Sequence, residues 1–63
     1  MTIEEAGRRP DQARERIAQS HDRSAEIFER HAVLLDRHGA HHSAKTERRH
    51  AEDEHRAAAA ARR

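Results

Sequence analysis

The chain has 63 residues, 40% of them charged, yet its formal net charge is only +1 and it contains no cysteine. That length allows one small domain with a marginal core, and the missing cysteines exclude disulfide staples and thiolate chemistry. The balanced charge lacks the one-signed surface of a typical nucleic-acid binder.

Residues 1–9 read as a flexible N-terminal tail. Thr2-Ile3-Glu4-Glu5 has the spacing of a capping box, but Gly7 and Pro10 follow too soon for a lasting helix. The opening MTIEEAGRRP begins acidic and has no apolar centre, so it does not read as a signal peptide. Arg8-Arg9 is followed by Pro10-Asp11-Gln12 where a twin-arginine signal needs an apolar run. The longest apolar run, Ala57 to Ala61, is far too short to span a bilayer. A cytoplasmic protein without membrane attachment is the expectation.

From about residue 10 to residue 38 the pattern predicts one helix. Pro10 suits a first turn, where its missing N–H is not needed, and Asp11 adds favourable charge there. Ile17 to Arg37 is one seven-residue unit written three times: IAQSHDR, SAEIFER, HAVLLDR. Alanine holds the second place (Ala18, Ala25, Ala32), an acid the sixth (Asp22, Glu29, Asp36) and arginine the seventh (Arg23, Arg30, Arg37). Seven residues are two helical turns, so each place returns to nearly the same face. The drift of about 20° per unit is small enough for a short bundle with slight supercoiling. The fourth and fifth places grow more apolar along the chain, from Ser20-His21 through Ile27-Phe28 to Leu34-Leu35.

Gly39 directly after the last repeated Arg-His pair is a helix stop signal. It predicts a turn near 39–42, with Ser43 as a cap, and a second helix over about 41–61. That helix shows a thin seam at His41, Ala44, Arg48, Ala51, His55 and Ala58. Two helices joined by so short a link fold back antiparallel, with Leu34 facing Thr46, Ile27 facing Asp53 and His31 facing His50. The expected fold is therefore all-α. It is a two-helix antiparallel hairpin spanning residues 10–63 that completes a four-helix bundle or coiled coil by self-association. The rival geometry is one continuous helix, since glycine inside a helix costs only about 1 kcal/mol.

The apolar stripe is the best candidate for a functional surface. Alanines on the second helix cannot cover all the large side chains of the first. Ile17, Ile27, Phe28, His31, Leu34 and Leu35 are therefore expected to bind a partner, either a second copy or a heterologous helix. This points to a small non-enzymatic interaction or accessory protein. Ser20 with His21, or Ser24 near His55, pairs a hydroxyl with an imidazole, but a two-helix surface supplies no oxyanion hole. Twelve arginines alternate with acids, and Phe28 is the single aromatic for base stacking, so nucleic acid is not the expected partner.

Seven histidines carry the alternative reading, a site for zinc, nickel or copper. Neutral imidazole is a common ligand for these metals. The candidate ligands are His38, His41 and His42, with Asp36 or His50 completing the set. No cofactor is otherwise expected. Histidines in the seam also predict pH sensitivity: burial would lower the pKa values of His31 and His55 and weaken packing as the pH falls.

The run SAEIFERHAVLLDRHG before a second helix resembles short Ala/Arg/Glu/His-rich helical proteins of GC-rich bacteria, over about residues 13–60. The resemblance implies a helical fold and brings no known activity or site.

Overall fold

The computed structural model describes the backbone of residues 3–63 and side chains from Pro10 onward. It is a hairpin of two helices, α1 (Ile3–Arg37) and α2 (His41–Arg62), with overall dimensions of 56 × 15 × 8 Å. Among the described residues no helix is long and apolar enough to cross a membrane.

The turn is a glycine-based C-cap. Gly39 has φ +79°, a left-handed conformation in which only glycine is free of steric cost. Its N–H donates to the Asp36 carbonyl at 3.0 Å, and the Ala40 N–H donates to the Leu35 carbonyl at 2.8 Å. These two bonds are the Schellman pair, which satisfies the last carbonyls of α1. The chain therefore turns at Gly39 instead of continuing as one helix. Ala40 is the N-cap of α2, without a side-chain cap bond; Ser43, expected as the cap, lies inside the helix. A Cβ at Gly39 would meet nothing within 4 Å, so substitution there is a question of backbone strain alone. Gly39→Ala should cost about 1–2 kcal/mol in urea unfolding and Gly39→Asn distinctly less, since Asn tolerates this conformation. Equal stability of all three proteins would contradict the capping role.

α1 begins at Ile3, seven residues before the expected start at Pro10, and Pro10 lies inside the helix. Glu4, Glu5, Ala6, Arg8 and Arg9 are strong helix formers that outweigh Gly7 here, and helix extension costs far less than nucleation. Of the expected tail, Met1 and Thr2 lie outside the described residues. α1 has 35 residues against 22 in α2, so its N-terminal part projects roughly 20 Å past the end of α2.

The core differs from the expected one. The buried hydrophobic side chains are Ala18, Ala25 and Ala32 of α1 and Ala44, Ala51 and Ala58 of α2, each no more than 3% exposed. Among the described residues no larger side chain is fully buried. Two alanine rows seven residues apart face each other, a geometry that permits helix axes to approach to about 8 Å. The reason lies in α2, whose apolar residues are all alanine. A flat alanine row offers no holes for Ile27 or Leu34 to enter; its best complement is another flat row. The large side chains are displaced to the flanks, leaving Ile17, Ile27, Val33 and Leu34 about half exposed.

In this register α2 repeats the frame of α1 as SAKTERR, HAEDEHR, AAAAARR, again with alanine second and arginine seventh. One place is inverted: the sixth, acidic in α1, is basic in α2 (Arg48, His55, Arg62, preceded by His41).

Candidate functional site

Packing alanine row on alanine row gives the hairpin two unlike flanks. One carries the sixth places of both helices. The other carries the first, fourth and fifth places.

On the first flank, acids of α1 alternate with bases of α2. Arg62 spans Glu15, through bonds of 3.1 and 3.2 Å, and Asp22 at 2.8 Å. His55 stands between Asp22 and Glu29, with Nε2 donating to the Glu29 carboxylate at 2.7 Å and Nδ1 3.7 Å from Asp22. Asp36 takes Arg48 and, at 2.8 Å, Nδ1 of His41. The hydrogen bond from Arg62 holds the Glu15 and Asp22 carboxyls below their ordinary pKa values. His41, then Arg48, does the same for Asp36. The Glu29 carboxylate raises His55 above its ordinary 6.5, while Glu15 and Asp22 raise Arg62.

This corrects the expectation for His55. Burial was to lower its pKa, but the ring lies on the flank between two carboxylates, where the charged form is favoured. Exposed pairs of this kind contribute little individually. The buried alanine rows set the rotation of each helix about its own axis, and the charged pairs fall into line with it.

On the second flank, the first, fourth and fifth places of α1 from Ile17 to His38 contain no Arg, Lys, Asp or Glu. Ile27 and Leu34 are 50% exposed, Phe28 and Leu35 are half-buried, and His31 is exposed beside them. Ile17, 52% exposed, continues the face toward the N-terminus. The expected partner-binding residues thus share one face. Across it, α2 contributes Ser43, His50, Ala57, Glu47, Glu54 and Ala61. Glu54 accepts from the His21 ring, and the Phe28 and His50 rings stand 5.2 Å apart, tilted by 36°. His50, expected opposite His31, is therefore taken by Phe28, because Gly39 sets the register so that residue 28 meets residue 50. A shallow hollow is lined by His31, Leu34, Leu35 and Glu47. Its Glu47 Oε2 is buried and has no hydrogen-bond donor.

The histidines at the turn do not converge. His38 and His42 would share a face on an unbroken helix, but the left-handed Gly39 between them interrupts it. His41 is drawn to Asp36 on the charged flank. Among the described residues no group of three or more His, Cys, Asp or Glu side chains is placed to hold a metal ion.

Sequence reasoning missed Glu15, Arg48 and Arg62 as partners, although the signal is in the chain. His41, Arg48, His55 and Arg62 recur every seven residues, as Glu15, Asp22, Glu29 and Asp36 do. The thin seam noted on α2 mixed two of its faces, alanines from the second place and cations from the sixth. No family model matches the chain, and no curated protein or solved structure matches it either.

Proposed function

We propose that this chain is a small non-enzymatic helical interaction protein of the cytoplasm, which binds a partner through the uncharged face of α1. The observation that carries this reading is the contrast in charge. In a chain that is 40% charged, one face spanning three heptads has no acid, lysine or arginine and holds Ile17, Ile27, Phe28, Leu34 and Leu35. An exposed apolar patch bordered by polar residues marks an interaction surface. A two-helix hairpin offers grooves in place of an enclosed pocket, which suits binding better than catalysis.

A photo-reactive amino acid placed at Ile27 or Leu34 should form adducts with a partner in host extract. The same group at Arg23, on the charged outer side, should form few. Equal labelling from all three positions, or none from Ile27 and Leu34, would sink the proposal.

A further inference from the structure

We infer that the occupant of this face is a second copy of the chain, seated with both turns at the same end, and that His31 of each copy donates to Glu47 of the other. The inference rests on the face being an interaction surface, as proposed above, and two further observations lead to it.

The first is the distribution of apolar residues. They are concentrated toward the turn, at Ile27, Phe28, Leu34 and Leu35, with Ser20, His21 and Ser24 farther away. Setting two hairpins with their turns at opposite ends places the leucines of one copy against the polar end of the other. The alternative is to centre on the apolar residues, which overlaps only the turn-proximal ends. With the turns together, the apolar residues of both copies meet and α2 is covered along its whole length. The result is a four-helix bundle in which α1 lies between its own α2 and that of the second copy.

The second is Glu47. On this joint face the charged residues of α2 are Glu47 and Glu54 at the fifth places and Asp53 at a fourth place, the last paired with Arg56 on its outer side. Glu54 is answered by His21, whereas Glu47 Oε2 is buried without a donor. A buried acceptor without a partner is costly. His31 lines the same hollow, and the side-by-side arrangement brings His31 of the second copy to the level of Glu47. Two-fold symmetry makes this contact twice.

Sedimentation equilibrium across the micromolar to millimolar range should show a dimer. Leu34→Asp should make it monomeric while far-UV circular dichroism retains the helices. Should that variant lose its helicity, Glu47→Gln and His31→Ala still test the pairing. Each should weaken dimerisation by about tenfold, and the double variant should be no weaker than either single one. Nitroxide labels on His38→Cys, in a chain without other cysteines, should lie within about 20 Å of each other when the turns are together. Opposed turns would set them roughly 33 Å apart or more. Additive effects of the two substitutions, or the longer distance, would overturn the arrangement. A strictly monomeric parent would overturn the inference as a whole. If Ile27 and Leu34 still cross-linked other proteins, that result would leave the interaction surface standing.

Discussion

Ala25→Leu should destabilise the hairpin by about 1–3 kcal/mol, the usual cost of overpacking a closed interface. Ala25 is fully buried, and the flanking His21–Glu54 and Phe28–His50 contacts set it in the seam against the Ala51 turn of α2. Helices about 8 Å apart leave no room there for a branched side chain. Accommodating leucine means forcing the helices apart, and that separation would also part Asp22 and Glu29 from His55. Ala25→Gly removes a methyl without pushing the helices apart and should cost about 1 kcal/mol through helix propensity. Leucine at Arg23, exposed on the charged outer side of the same helix, should change stability by no more than about 0.5 kcal/mol. Urea midpoints at one fixed protein concentration rank the three variants. A more stable Ala25→Leu protein would mean that the alanine rows are not the packing surface.

Stability should be greatest in mildly acidic solution and decline as the pH rises. Glu29 raises the pKa of His55 above its ordinary 6.5 in the folded chain, so the folded state binds that proton more tightly than the unfolded state. The contribution of His55 is therefore complete below 6.5 and lost as the pH rises through the elevated folded value. The carboxylates act in the opposite direction. Glu15, Asp22 and Asp36 titrate below their ordinary 4.5, 3.8 and 3.8 in the fold. What they contribute is present above those values and lost as the pH falls through the lowered ones. Thermal unfolding midpoints should be higher at about pH 5.5 than at about pH 8, and His55→Gln should flatten that difference while leaving the acid limb in place. An unchanged midpoint in the parent, or a slope that survives His55→Gln, would remove His55 from this role. The sign is the reverse of what a buried seam histidine would give.

Much of the hairpin was legible before any coordinates. The three units from Ile17 to Arg37 specify a helix because alanine, acid and arginine each return to one face, and Gly39 stands where that periodicity ends. The Schellman bonds at Asp36 and Leu35 realise the turn that this glycine predicts. Less legible was the start of α1, where Gly7 and Pro10 argued against a helix that the surrounding Glu, Ala and Arg residues nevertheless sustain. Least legible was which stripe would become the seam. Read singly, α1 presents Ile27, Phe28, Leu34 and Leu35 as its obvious core, and nothing in that helix indicates that Ala18, Ala25 and Ala32 will be buried in their place.

Sequence alone determined the helical state, the turn and the recurrence of acids at every seventh residue, because these rest on local propensity and on a periodicity each helix carries by itself. Only the tertiary structure decided the pairing of faces. Burial is a property of two surfaces at once, and α2 offers nothing larger than alanine to meet. Close approach of the alanine rows brings the acidic sixth places of α1 onto the basic ones of α2. That leaves Ile27, Phe28, His31, Leu34 and Leu35 on the uncharged outer face.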